Sequence, residues 1–257
     1  PRGVGKTTCA RILARALNCT NSVDYEPCNA CPSCTDMLDG RSVDIIEIDG
    51  ASNNSVDDVR KLRDNAKYAP MSGRYKMYII DEVHMLSTAA FNALLKTLEE
   101  PPEHLIFVFA TTEIHKVPAT ILSRCQRFDF RRMEIETITG HLRHIADAEG
   151  IEVDDASLVS VAKKADGSMR DSQSIFDQVV SFCGKSITIS DVSAALHLID
   201  LDFFFALSEA VRLHDVPKMF HLARQVVQRG YDLQECLIGL LEHFRNILTV
   251  ITTQGTG

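Results

Sequence analysis

Gly3-Val4-Gly5-Lys6-Thr7-Thr8 leads straight into Cys9–Asn18, where Ile12, Leu13, Ala16 and Leu17 make one helical apolar stripe. A glycine-rich turn that opens a helix aims backbone N–H groups at an anion. Read as a P-loop, Gly3, Val4, Gly5, Lys6, Thr7 and Thr8 cradle the phosphates of a nucleotide; Lys6 reaches the β- and γ-phosphates and the Thr7 hydroxyl binds Mg²⁺. The full pattern holds another glycine five residues before Gly5, one position ahead of Pro1. The sequence is therefore expected to be a piece of a longer protein, cut at both ends. An ordinary glycine-rich turn before a helix carries the same residues, so the choice needs a second motif.

That motif lies at Lys76–Leu86. The apolar run Met77-Tyr78-Ile79-Ile80 ends in Asp81-Glu82-Val83-His84, which reads as a strand ending in two acids. Beside bound phosphates, Asp81 holds Mg²⁺, usually through water, and Glu82 polarises the attacking water as general base. A solvated strand end is the plain alternative for an Asp-Glu pair alone. The two motifs in this order favour nucleotide hydrolysis.

Working outward, residues 1–132 alternate short β-rich runs with helical stretches, the pattern of a parallel sheet flanked by helices. The strand candidates are 43–48, 76–80, 105–110 and a short 127–130. Val56–Tyr68 and Thr88–Glu99 carry apolar residues at helical spacing, and Pro101-Pro102 stops the second. The fold class is α/β. After Met133 the strand signals cease and amphipathic helices follow, broken at Glu149-Gly150, Asp166-Gly167 and Gly184-Lys185. Residues 133–196 read as a small helical domain. Residues 197–257 read as the start of a third, with turns near His214–Pro217 and Gly230–Asp232.

Cys19, Cys28, Cys31 and Cys34 follow the first helix as C-x8-C-x2-C-x2-C, with Pro27 and Pro32 setting turns. Four thiolates close a tetrahedral Zn²⁺ shell. Structural zinc is preferred to an iron–sulfur cluster because no redox partner is visible, and four unrelated cysteines is the alternative. The other four, Cys9, Cys125, Cys183 and Cys236, are scattered. Clustered metal ligands beside isolated thiols favour the cytoplasm over a disulfide framework.

Three further positions carry chemistry. Ala110-Thr111-Thr112-Glu113 ends the third strand where a hydroxyl can sense a γ-phosphate or orient water; Thr112 is the first choice and Thr111 the second. Ser123-Arg124-Cys125 closes a short helix begun at Pro118, and Arg124 is either a transition-state arginine or half of a surface salt bridge. Gly167-Ser168-Met169-Arg170-Asp171 starts a helix, so Arg170 can fold back on nucleotide, while Ser168 or Asp171 can cap.

The chain has 257 residues and a formal net charge of −8, with 45% hydrophobic and 24% charged residues. That composition is globular, and no apolar run approaches the roughly 20 residues of a membrane span. An acidic chain is not a general polyanion binder, so any nucleic-acid contact has to be local.

Together, residues 3–8, the four cysteines, 79–86, Asn92–Pro102 (NALLKTLEEPP), 110–113, 121–125 and 167–171 resemble the gamma/tau clamp-loader ATPases of bacterial DNA polymerase III, within the AAA+ class. The resemblance spans essentially the whole chain. It implies an α/β ATPase domain with an inserted zinc module, a helical lid, and the start of a helical collar that joins a pentameric hetero-oligomer. It implies ATP, Mg²⁺ and Zn²⁺ as ligands, and other loader subunits, a sliding clamp and primer-template DNA as partners. ATP binding would open the clamp and hydrolysis would release it on DNA. By position, Lys6 and Thr7 become P-loop residues, Asp81 and Glu82 the Walker B pair, Thr112 sensor 1, Arg170 sensor 2, and Arg124 the finger on a neighbour's ATP. Any polymerase label belongs to the holoenzyme, because no polymerase site is visible here. Two rivals remain. One is a non-hydrolysing structural subunit like delta-prime, or another zinc-bearing AAA+ protein, which intact Lys6, Thr7, Asp81 and Glu82 oppose. The other is a zinc-dependent nucleic-acid module, which the lack of basic or aromatic residues in the knuckle 29–34 opposes.

Overall fold

Met77, Tyr78, Ile79 and Ile80 are fully buried, and their place in the first unit explains why. The computed structural model describes residues 1–196, 199, 201–228 and 230–253, and the expected boundary at 196/197 falls on residues outside that description. The chain divides into two units, Pro1–Arg132 and Met133–Gly257. In the first, the order is α1 (Lys6–Asn18), α2 (Pro32–Leu38), β1 (Ile45–Asp49), α3 (Val56–Ala66), β2 (Lys76–Asp81), α4 (Thr88–Glu99), β3 (Leu105–Phe109) and α5 (Ala119–Leu122). The strands form one parallel sheet in the order β1-β2-β3. A parallel strand covered on both faces reads as a continuous apolar run rather than an alternation. Accordingly, Met77 and Ile79 pack with Ala10 and Ala14 of α1, whereas Ile80 packs with Val59 of α3 and with Phe91 and Leu94 of α4.

Two buried polar side chains fix how this unit closes. Asn18, at the end of α1, donates through Nδ2 to the Tyr75 carbonyl at 3.1 Å, and its Oδ1 accepts the Tyr75 N–H at 2.8 Å. A Cβ at Gly73 would lie 2.7 Å from Asn18 Oδ1, so the turn before β2 needs glycine to admit the amide. Asp44, just ahead of β1, accepts the N–H groups of Met71, Ser72 and Gly73 at 2.7–2.8 Å, together with the Ser72 hydroxyl at 3.1 Å.

The fourth strand expected at 127–130 does not form. These residues lie in no strand, Phe128 is exposed, and Arg127 turns to Asp129 at 2.8 Å. Alternation alone does not make a strand, which needs a ladder partner; β2 is already paired on both sides, and the segment joins neither outer strand.

The second unit is mainly helical: α6 (Ile135–Glu149), α7 (Asp155–Lys164), α8 (Met169–Cys183), α9 (Ile189–Ala195), α10 (Leu201–Arg212), α11 (Val216–Gln228) and α12 (Leu233–Thr252). Ile138, Leu142, Leu158, Val161, Phe176, Val179 and Val192 make the core of α6–α9. The expectation of no strands after Met133 is corrected by a two-residue parallel pair, β4 (Glu152–Val153) and β5 (Ser186–Ile187). Two residues are too few for a period to register in sequence. In α12, His243 is buried against Phe204 and Phe205 and meets Ser208 Oγ at 3.2 Å. By contrast, Phe220, Val227, Leu241, Leu248 and Ile251 of α11 and α12 are exposed.

Burial opposes ionisation of Asp44, but the three backbone N–H groups and the Ser72 hydroxyl outweigh it and hold the carboxyl below its usual range. Its stabilising contribution is thus complete above the unfolded-state pKa of about 3.9 and is lost as pH falls through the lower folded value. Asp44→Asn should cost about 2–3 kcal/mol at pH 7. Chemical denaturation across pH should show that deficit shrinking only below about pH 4; a deficit equally large at pH 3 contradicts this account.

Candidate functional site

The C-terminal ends of β2 and β3 and the N-terminal end of α1 meet at one place. Gly5 caps α1 at φ 87°, a left-handed conformation suited to glycine, and the Lys6 ammonium donates to the Pro1 carbonyl. The Thr7 hydroxyl donates to Asp81 Oδ2 at 2.8 Å. A hydroxyl and a carboxylate at this separation suit Mg²⁺, whose neighbouring octahedral ligands lie about 2.9 Å apart for bonds near 2.1 Å.

Beyond Asp81 the chain turns sharply. Glu82 has φ 44° and ψ 47°, a left-handed conformation costing a non-glycine residue on the order of 1–3 kcal/mol. The turn persists because its flanks are bonded on every side. Asp81 Oδ1 accepts the Glu82 N–H at 2.9 Å, Gly50 N–H donates to the Asp81 carbonyl at 2.8 Å, and buried Val83 donates its N–H to the Ala110 carbonyl at 3.0 Å. A Cβ at Gly50 would come within 2.8 Å of the Glu82 carbonyl oxygen. The Glu82 side chain then faces the end of β3, where Oε2 accepts both the N–H and the hydroxyl of Thr112 at 3.0 Å. Thr111, the second choice at this position, turns its hydroxyl instead to His84 Nδ1 at 2.8 Å.

The structure thus joins Thr7 to Asp81 and Glu82 to Thr112. Arg124 lies apart from this cluster: its guanidinium donates to Glu99 Oε1 at 2.7 Å and to the Thr120 carbonyl at 2.8 Å. Arg170 belongs to the second unit and is exposed at the start of α8, whose cap is Ser168 accepting the Asp171 N–H at 3.2 Å. Sequence reasoning missed His84, Asp44 and Asn18. The His84 signal was present in the Asp-Glu-Val-His run, but two of its partners, Thr111 and Glu113, lie beyond the end of β3.

The four cysteines converge. The sulfur atoms of Cys19, Cys28, Cys31 and Cys34 all lie within 4.8 Å of one another, with Cys19 and Cys31 at 4.0 Å. Zn–S bonds near 2.3 Å at tetrahedral angles put sulfurs about 3.8 Å apart. Backbone N–H groups of Asn21 and Cys28 point at Cys19 Sγ at 3.4 and 3.3 Å, and that of Cys31 points at Cys28 Sγ at 3.3 Å; such donors stabilise thiolates. N–H groups of Thr20 and Cys34 bring the Cys31 thiol down to about 6, while burial pushes Cys34 up to about 12. The donor set and spacing fit a closed, structural Zn²⁺.

This constellation has the fold of a P-loop α/β domain. In fold, the chain is similar to the Thermotoga maritima RuvB Holliday junction branch migration motor, with a TM-score of 0.56 at 16% identity over 84% of this chain and 67% of that one. A family described as DNA polymerase III, delta subunit, matches residues 1–134, and one described as DNA polymerase III clamp loader subunit, ATPase lid domain, matches residues 137–185. DNA polymerase III subunit tau of Bacillus subtilis (strain 168) is 46% identical over 99% of this chain, which spans 45% of that protein. DNA polymerase III subunit gamma of Buchnera aphidicola subsp. Acyrthosiphon pisum (strain APS) is 41% identical over 96% of this chain and 69% of its own length. The chain belongs to the gamma/tau family of DNA polymerase III clamp-loader subunits. It spans less than half the length of the tau relatives from Bacillus subtilis and Escherichia coli. Among the described residues no helix is long and apolar enough to cross a membrane.

Full-length protein purified without chelator should carry about one zinc per chain by mass spectrometry of the metal. Cys34→Ser should strip that zinc and lower the melting transition by several degrees. Full occupancy and unchanged melting in the variant would overturn the four-sulfur site.

Proposed function

We propose that this chain is the ATP-hydrolysing core of a clamp-loader motor subunit, which opens a sliding clamp and loads it on primed DNA with other loader subunits. The observation that carries this reading is that the two strand-end acids are each engaged by a different element of one site: Asp81 by Thr7 of the P-loop helix, and Glu82 by the hydroxyl and N–H of Thr112 beyond β3. A hydrolytic site requires such an arrangement, whereas a structural subunit does not.

Residues 3–8 would bind the phosphates and Lys6 would turn from the Pro1 carbonyl to the β- and γ-phosphates. Thr7 and Asp81 would hold Mg²⁺, which neutralises phosphate charge when bound. Glu82 would orient the attacking water and take its proton, and Thr112 would register the γ-phosphate. Arg170 would reach the same nucleotide from the lid. Arg124 would leave Glu99 to face the ATP of a neighbouring subunit. The four cysteines would hold a structural zinc. The exposed apolar residues of α11 and α12 suit burial against other subunits in a collar, with residues 133–196 as lid and 197–257 as the collar's beginning. A cytoplasmic location accords with the reduced thiols and the replication function.

The family matched by residues 1–134 carries a delta-subunit description, which keeps a non-hydrolysing subunit as the second reading. One experiment separates them. Full-length chain assembled with its partner subunits should hydrolyse ATP, faster with clamp and primed DNA. Glu82→Gln should lower turnover by about 100-fold or more while ATP binding survives. Arg124→Ala should also retain ATP binding but lose on the order of 1,000-fold in turnover. Turnover indifferent to clamp and DNA, or unaltered by Glu82→Gln, refutes the motor; unaltered turnover in Arg124→Ala refutes the finger.

A further inference from the structure

His84 takes no part in the roles assigned above, yet it meets three side chains at the site. It rides on the 3-10 turn Val83–Met85, two residues beyond Glu82, and its side chain is only 7% exposed. Nδ1 lies 2.8 Å from Thr111 Oγ1 and 3.2 Å from Glu82 Oε2, and Nε2 lies 3.1 Å from Glu113 Oε2. A carboxylate only accepts, so Nε2–H donates to Glu113. The Glu113 N–H in turn donates to Thr111 Oγ1 at 3.0 Å. These contacts close a ring from imidazole to Thr111, to Glu113 and back to imidazole. Outside it, Lys116 holds Glu113 Oε2 at 2.6 Å.

The ring encloses Thr112 in the chain, between Thr111 and Glu113. With both neighbours clamped, the N–H and hydroxyl of Thr112 have little freedom except to converge on Glu82 Oε2. The clamp also comes from the same turn that carries Glu82, so the ends of β2 and β3 are joined twice within a few residues. We propose that His84 is a positioning residue for hydrolysis, fixing Thr112 against Glu82 without touching nucleotide. The inference rests on the hydrolytic reading of the site.

Its effect belongs in the chemical step, since its polar partners are Thr111, Glu113 and Glu82. Misplacing a water-orienting group by a fraction of an ångström costs on the order of ten- to a hundredfold in rate. The test uses full-length chain in the assembled loader with clamp and primed DNA, measuring single-turnover hydrolysis and ATP affinity separately. His84→Leu removes the polar links to Thr111, Glu82 and Glu113 at similar volume. His84→Asn places an amide at the Nδ1 position and keeps the Thr111 link, whereas His84→Gln reaches the Nε2 position and keeps the Glu113 link.

His84→Leu is expected to slow hydrolysis by about tenfold or more, with ATP affinity within about threefold. His84→Asn should recover most of the rate and His84→Gln less, because Thr111 is the direct neighbour of Thr112. Where His84→Leu does not assemble, the contrast between the two amide variants carries the decision. Hydrolysis within twofold of wild type in all three, or losses that fall equally on affinity, would overturn the proposal. Glu82→Gln runs alongside: if it is inactive while the His84 variants are normal, only the His84 inference fails, and if it is as active as wild type, the hydrolytic reading itself fails.

Discussion

Attachment of α1 to β2 at both ends is the constraint from which the rest of the first unit follows. Asn18 bonds Tyr75 at the entry of β2, and Thr7 bonds Asp81 at its exit. From Thr7 to Asn18 a helix advances roughly 16 Å, and from Tyr75 to Asp81 a strand advances roughly 20 Å. The two lengths match well enough for one helix to lie antiparallel along one strand with a polar bolt at each end. Small Ala10 and Ala14 between the bolts let the helix sit close on Met77 and Ile79. The bolts differ in kind. The Asn18 amide is buried and bonded on both sides, so it is structural. The Thr7 bond is part-buried and joins two groups that under the proposed function both ligate a cation, so in that reading it is exchangeable.

At the exit of β2 the backbone is held in a conformation it would not choose. Glu82 in the left-handed region turns Val83 into the core and leaves its own carboxylate facing β3. The strain is retained because Gly50 lets β1 approach the Asp81 and Glu82 carbonyls, and because Val83 gains both burial and a bond to Ala110. A favourable backbone at Glu82 would continue the strand and carry the acid past Thr112. Local strain is thus what converts a strand end into a pair of acids with different partners: Asp81 looks to α1 and Glu82 looks to β3.

The sequence was legible where chemistry is local and periodic. The buried run at 77–80, the helix over 88–99, and the cysteine spacing each announce themselves over a few residues, because one strand, one helix or one metal knuckle imposes the pattern. The strand expected at 127–130 does not form, since a short β-rich run says nothing about whether a partner edge is open to it. The β4–β5 pair was missed for the opposite reason: two residues form a ladder without a pattern. In the candidate site, Asp81, Glu82 and Thr112 each stand out in sequence at a strand end. That Glu82 would rest on Thr112, and that His84 would tie Thr111 to Glu113, depends on the register between β2 and β3, where Ile80 lies beside Phe109. No single segment encodes that register.

Within the second unit, the earlier and later helices bury their apolar side chains differently, and the difference bears on the proposed motor. The faces of α6–α9 close on one another around Leu142, Leu158 and Phe176. On α11 and α12, Phe220 is 73% exposed and Leu241 71%, and large apolar surface left in water on neighbouring helices marks a face that gains by meeting another protein. Arg124 tells the same story in polar terms. Its guanidinium is satisfied by Glu99 within the chain, at a surface where an ion pair is worth little, on the order of 0–1 kcal/mol. Under the proposed function a neighbour's phosphate offers a stronger, charge-assisted set of acceptors, so the pair can be exchanged at small cost. Under the proposed function, the site's base, sensor and cation ligands are therefore built within one chain. Its last positive charge and its packing are left to be completed by assembly, which ties hydrolysis to the presence of the neighbour.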